Sequence, residues 1–389
     1  MRLRAWPAAD RRTWQLLVFA VLATAFAPPG LSATFPVAPE LAAKAHVLLD
    51  FHTGRVLSAF RPDARMHPAS LTKMLTVYVA FEALESGSIK KGETVRISAR
   101  ARSMGGSRMY LEQGSHVRVI DLLKGVIVQS GNDASVALAE HIAGTESAFV
   151  ERMNETAKRL GMRRSQFRNP HGWTADGHYT TASDMALLAR AMIRRFPALY
   201  ALHKLRAFVH NGIRQENRNG LLDEDLGVDG IKTGSTEAAG YCLVASAARD
   251  GMRLVSVVLA APDKPARLTD SRKLLEFGFT QYSTRVLYSS GQEISRARVW
   301  AGQERDVGLE LREPLVLTYP RQRYSDMSAT VALQNELEAP VPAGLQVGTL
   351  TIRLDDQVLA ERHLVTSKTV AEGDWLQRWS DYYERWRRQ

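Results

Sequence analysis

Ser70 and Lys73 stand three residues apart in Ser70-Leu71-Thr72-Lys73. On a helix that spacing puts both on one face, so the Lys73 amine can reach the Ser70 hydroxyl. A serine hydroxyl is a weak nucleophile until a base takes its proton, and a neutral lysine can be that base. Neutrality at ordinary pH requires the Lys73 pKa to fall, through burial or through a second ammonium close by. Lys232, in Lys232-Thr233-Gly234, can supply that second charge, and between the two lies Ser130-Gly131-Asn132 with a further hydroxyl and an amide. Any one of these motifs can arise by chance, and a Ser-x-x-Lys is as easily a helix start capped by serine. All three in this order are a strong signal, and the chemistry they could do is that of a serine nucleophile activated by a lysine base.

The elements that must position them can be read from hydrophobic spacing. Residues 45–60 pattern as a hairpin, with Val47-Leu48-Leu49 and Val56-Leu57 flanking Thr53-Gly54. Pro68 precedes Ser70, and Leu71, Leu75, Tyr78, Val79 and Leu84 mark a helix that starts near Ser70 and ends before Gly87. Helical patterns follow at 119–128, 134–144, 146–160, 182–194 and 267–277, and strand patterns at 206–210, 228–234, 240–248 and 253–260. The first motif therefore opens a helix, the second ends one and the third lies in a strand. A nucleophile at a helix N-terminus gains unpaired N–H groups and the positive dipole end. Early and late strands must share one mostly antiparallel sheet with helices against it. From residue 286 the texture changes to short alternating runs such as 297–300, 307–311, 315–318, 329–333 and 350–354, which reads as a small all-β domain.

The ordered triple resembles the signature of serine penicillin-binding proteins and β-lactamases. The stretches His67-Pro68-Ala69-Ser70-Leu71-Thr72-Lys73-Met74, Ser130-Gly131-Asn132-Asp133-Ala134, Asn169-Pro170-His171-Gly172, Asn217-Arg218-Asn219-Gly220-Leu221-Leu222, Val228-Asp229-Gly230-Ile231-Lys232-Thr233-Gly234 and Ala239-Gly240-Tyr241 narrow the resemblance. They are similar to the low-molecular-mass D-alanyl-D-alanine carboxypeptidases, from about residue 40 to the C-terminus. The resemblance implies an α+β, transpeptidase-like catalytic domain. In it Ser70 is the acylated nucleophile, Lys73 the general base and Ser130 the proton relay to the leaving D-alanine. Asn132 binds a substrate amide. Lys232, Thr233 and Arg267 hold the terminal carboxylate, and Arg218 lies near the site. The backbone N–H groups of Ser70 and Ser235 form the oxyanion hole. Gly234 lets a peptide approach the strand edge.

Ser235 departs from the His that many of these carboxypeptidases carry after Lys-Thr-Gly; the backbone role survives any side chain, whereas substrate preference and deacylation rate depend on it. The implied activity is removal of the terminal D-alanine from a peptidoglycan stem pentapeptide, with trapping by β-lactam antibiotics. An endopeptidase or β-lactamase on the same fold, or a non-turnover penicillin-binding scaffold, are the alternatives. His171 and His178 form neither a Ser-His-Asp order nor a metal pair, and both read as structural. No metal or cofactor is implied.

Arg2, Arg4, Arg11 and Arg12 precede a 12-residue apolar run, Leu16–Ala27, closed by Pro28-Pro29-Gly30 and the small residues Ser32-Ala33. That is the layout of a secretory signal peptide, too short for the ~20 residues of a spanning helix. With only Cys242, in a strand-like run, no intrachain disulfide can form. A net charge of +10 invites thoughts of nucleic acid, but the basic residues are dispersed among acidic neighbours, which argues against it. Near the C-terminus, Trp375, Leu376, Trp379, Tyr382, Tyr383 and Trp386 fall within about 120° of a helix, opposite Arg378, Asp381, Glu384, Arg385 and Arg388. Such a helix fits a membrane interface. The expected organisation is a signal peptide at 1–33, a catalytic domain at 34–285, a β domain at 286–372 and an anchoring helix at 373–389. The expected location is the periplasmic face of the bacterial inner membrane.

Overall fold

The computed structural model describes residues 36–387; the signal-peptide reading falls on residues outside that range. The chain passes through β1 (Ala45–Asp50) and β2 (Val56–Phe60), and a 3-10 turn at Ala69–Leu71 leads into α1 (Thr72–Glu85). β3 (Thr94–Arg96), α2 (Ala99–Arg102) and β4 (His116–Arg118) precede α3 (Val119–Lys124), which widens into a π-helical turn at Gly125–Gln129. The helices α4 (Asn132–Ala143), α5 (Glu146–Arg159), α6 (Ala182–Arg195) and α7 (Pro197–Tyr200) follow. A small hairpin of β5 (Ala207–His210) and β6 (Ile213–Glu216) comes before the long strands β7 (Val228–Thr236), β8 (Gly240–Arg249) and β9 (Met252–Ala261), and then α8 (Lys264–Gln281).

The central sheet is antiparallel in the order β2-β1-β9-β8-β7, so the first strands pair with the late ones across the whole domain. Alternation along each strand builds two cores. Val47, Leu49, Val255 and Val257 face the helical block, and Leu48, Leu254 and Val258 face α8. The stripe that marks α1 is only part of its burial. Eleven of its fourteen residues are buried, including Thr72, Lys73 and Thr76, because α1 is enclosed on all sides. A helix apolar on one stripe ordinarily lies at a surface; here its polar residues are buried as well, and each side chain has a hydrogen-bond partner. Thr72 meets His178, Thr76 donates to the Pro170 carbonyl, and Lys73 has the partners described below.

The C-terminal part is a β sandwich. β11 (Ser295–Trp300), β12 (Asp306–Glu310), β14 (Met327–Leu333), β15 (Leu337–Glu338), β16 (Gln346–Leu354) and β17 (Gln357–Thr366) form one sheet in the order β14-β16-β17-β12-β11-β15. β10 (Tyr282–Tyr288) pairs with β13 (Leu315–Pro320), and the apolar faces meet around Val299, Leu309, Leu317, Ile352 and Leu364. Buried Asp50 ties this sandwich to the sheet, accepting from Thr284 at 2.7 Å, while Arg55 donates to the Thr318 carbonyl at 2.8 Å.

The last helix, α9 (Trp375–Trp386), is closed at its start by a capping box of Asp374 and Gln377. It lies on the sandwich by its polar side. Asp381, 6% exposed, accepts from Arg298 and from the Ala301 N–H, both at 2.9 Å, and Arg385 pairs with Glu336 and Glu338. The aromatic side is left outward: Trp375, Trp379, Tyr382 and Trp386 are each at least 66% exposed. No described helix is long and apolar enough to cross a membrane.

Candidate active site

The three motifs converge on one cleft of about 330 Å³, lined by Ser70, Ser107, Ser130, Arg218, Thr233, Gly234, Ser235, Lys264 and Arg267. Ser70 sits in the 3-10 turn that starts α1. Ala69 before it holds φ +47°, a left-handed conformation that costs a non-glycine residue roughly 1–3 kcal/mol. Neighbours on both sides hold the turn in place. A Cβ on Gly234 of β7 would come 3.1 Å from the backbone nitrogens of Ser70 and Leu71, so the missing side chain lets the helix start lie close against the strand. A Cβ on Gly172, at φ +94°, would fall 1.9 Å from the Ala69 carbonyl oxygen.

Lys73 is fully buried. Its amine donates to Ser70 Oγ at 3.1 Å, to Asn132 Oδ1 at 2.7 Å and to the His171 carbonyl. Burial, then the positive charges of Lys232 and Arg218, hold its pKa well below the usual lysine value, with Asp133 opposing. A neutral amine 3.1 Å from a serine hydroxyl can take that hydroxyl's proton. Lys232, 4% exposed, is brought down to about 7 by burial and by Arg218 and Arg267. Its amine donates to its own neighbour's carbonyl, that of Thr233.

Ser130 terminates the π-helical turn at φ +64°, and its buried hydroxyl has no partner. A buried hydroxyl without a partner is costly and belongs where a substrate atom completes it. Asn132 opens α4; besides accepting from Lys73 it donates to the Gly105 carbonyl at 2.8 Å. Thr233 lies 5% exposed on β7, and Ser235 is exposed at the rim. Arg267 is 6% exposed, and its Nε lacks a partner.

Four features of the site lie outside the roles assigned from the motifs. Ser107 and Lys264 line the cleft yet belong to no motif. The His171 contribution is a main-chain carbonyl, which no side-chain pattern encodes. Its ring is pushed down to about 3 by burial and by Lys73, and that of His178 to about 4 by burial and by His67. Asp133, next to Asn132, accepts from the backbone N–H groups of Met109 and Leu111 and so holds the loop that carries Ser107. Its place beside the middle motif was the only available signal. Cys242 is buried in β8. Among the described residues no group of three His, Cys, Asp or Glu could hold a metal ion.

A buried lysine of lowered pKa on a serine hydroxyl, with an unpartnered second hydroxyl and a cationic far wall, is the arrangement of a serine acyl-enzyme. The D-alanyl-D-alanine carboxypeptidase family profile matches residues 32–263, and that of the penicillin-binding protein 5 C-terminal domain matches 282–372. D-alanyl-D-alanine carboxypeptidase DacA of Escherichia coli K12 is 41% identical over 355 residues, 89% of this chain and 88% of its own. The crystal structure of penicillin-binding protein 5 from Haemophilus influenzae superposes with a TM-score of 0.80 at 40% identity, covering 87% of this chain and all of that one. Penicillin-binding protein D2 of Listeria monocytogenes, in its ampicillin-bound form, matches with a TM-score of 0.58 at 31% identity, covering 62% of this chain and 100% of that one. The chain belongs to the D-alanyl-D-alanine carboxypeptidase family and is a serine-type hydrolase of the low-molecular-mass penicillin-binding class.

Proposed function

We propose that the cleft removes the terminal D-alanine from peptidoglycan stem pentapeptides in two half-reactions. Lys73 takes the Ser70 proton as Ser70 Oγ attacks the carbonyl of the penultimate D-alanine. The oxyanion sits between the N–H groups of Ser70 and Ser235. Ser130 passes a proton to the departing amine, and D-alanine leaves. Water then cleaves the ester, with Lys73 again as base. Lys232, Thr233 and Arg267 hold the substrate carboxylate, Arg218 adds positive charge, and Asn132 meets a peptide amide. A β-lactam enters the same first step and leaves a stable acyl-enzyme.

The observation that carries this reading is the Lys73 amine, buried and 3.1 Å from Ser70 Oγ. The test is incubation with a D-Ala-D-Ala-terminated pentapeptide while free D-alanine and intact protein mass are followed. Catalytic release that is lost in Ser70→Ala supports the carboxypeptidase. A stable penicillin adduct without D-alanine release would mean an endopeptidase or a scaffold instead.

We also infer that residues 1–33 direct export, that 34–285 and 286–372 act as the catalytic and β domains, and that 373–389 anchor the protein at the periplasmic face of the inner membrane. The outward aromatic side of α9 supports the anchor: three tryptophans and two tyrosines exposed together suit a bilayer interface better than water.

A further inference from the structure

The cleft has more positive charge than one carboxylate can use. Arg218, Lys264 and Arg267 all line it, and none of the lining residues is Asp or Glu. Elsewhere in the fold, two arginines withdrawn from solvent are matched by carboxylates, Arg253 with Asp229 at 2.8 Å and Arg272 with Glu224 at 2.6 Å, whereas buried Arg267 is not. The side chains of Arg218, Lys264 and Arg267 have no hydrogen bond or ion pair among the described residues. Arg267 is 6% exposed with its Nε unpartnered, a cost that an arriving anion would offset. Lys264 is the first residue of α8 and Arg267 the fourth, so a spacing of three puts both on one side of that helix, toward the cleft. Ser235, exposed and short, lines the same cleft.

A C-terminal D-alanine brings one negative charge, which Lys232, Thr233 and Arg267 satisfy under the function proposed above. Lys264, exposed on the cleft lining, then remains free to meet a second anion. We propose that Lys264 is a specificity-determining residue, and that the enzyme also removes a C-terminal D-residue with a carboxylate side chain, D-glutamate or D-aspartate. The chemistry is unchanged. Ser70 Oγ displaces the D-glutamate amine from the penultimate carbonyl, the amine leaves with the relayed proton, and one water hydrolyses the ester. The peptide is one residue shorter and free D-glutamate is released. The Lys264 ammonium meets the side-chain carboxylate, while Arg267 and Lys232 keep the main-chain one. This inference rests on the carboxypeptidase reading.

Three pentapeptides that differ only in the last residue test it: D-Ala-D-Ala, D-Ala-D-Glu and the neutral isostere D-Ala-D-Gln. The full-length protein should favour D-Glu over D-Gln by about fivefold in kcat/KM at low ionic strength, the scale of one exposed charge pair. The preference should shrink at high salt. It should vanish in Lys264→Gln and invert in Lys264→Glu. A D-Glu to D-Gln ratio near one in the parent, or a ratio that neither variant moves, overturns the role of Lys264. Failure to release D-alanine from the D-Ala-D-Ala peptide is a different result, and overturns the carboxypeptidase reading itself.

Discussion

In the catalytic cleft Lys73, Lys232 and Arg267 are withdrawn from water, whereas on α9 Trp375, Trp379 and Trp386 are pushed into it. Both regions reverse the ordinary division of apolar inside and charged outside. The reversals have opposite physical meaning. Burial strips the lysines of hydration, lowers their pKa values and leaves the cleft short of an anion. Exposure leaves the helix short of an apolar surface. Under the function proposed above, each region calls for a partner of the opposite character, a carboxylate for the cleft and a bilayer for the helix.

The largest test of the comparison is Lys73→Met, which keeps the volume and removes the amine. D-alanine release and penicillin acylation should fall by about 10³- to 10⁴-fold with the fold retained by circular dichroism. Acylation at the parent rate would show the buried lysine to be a structural feature only. Next is Trp375→Ser with Trp379→Ser and Trp386→Ser, which alters the outward side and leaves the Asp381 contacts alone. Binding to anionic phospholipid vesicles should weaken by about a hundredfold or more, with D-alanine release kept. Unchanged vesicle binding would remove the anchor from α9.

A smaller effect separates Lys232 from a permanently charged residue. With its pKa near 7 in the empty cleft, Lys232 is protonated below that value and loses its charge above it. The substrate carboxylate prefers the protonated form, so KM should be flat in acid and rise about tenfold from pH 7 to 8.5. A KM that stays level across this range would assign carboxylate binding to the arginines alone. The smallest effect concerns the seat of α9. Asp381→Ala leaves the Ala301 N–H without its acceptor and Arg298 with Glu384 alone, and should cost about 1–3 kcal/mol of stability in the β sandwich, read from urea unfolding.

Residue type and spacing alone carried much of this. The three motifs, the α+β order of elements, the change of texture after the catalytic part and the two-sided C-terminal helix are all local patterns. Such patterns survive in sequence because helix and strand periods are short. What only tertiary structure decided depends on which distant segments meet. Gly234 read as a place for a peptide to approach; packed, it is where the Ser70 turn itself lies against β7. The His171 carbonyl reaches Lys73 through the backbone, and Asp50 and Asp381 each join parts of the chain more than 80 residues apart. Lys264 and Ser107 reach the cleft only because α8 and the loop held by Asp133 are packed around it. The lowered Lys73 pKa was expected from chemistry. Its main cause, complete burial of a lysine inside α1, comes from packing of that helix against α4, α5, α6 and β7, and no window of sequence around residue 73 contains them.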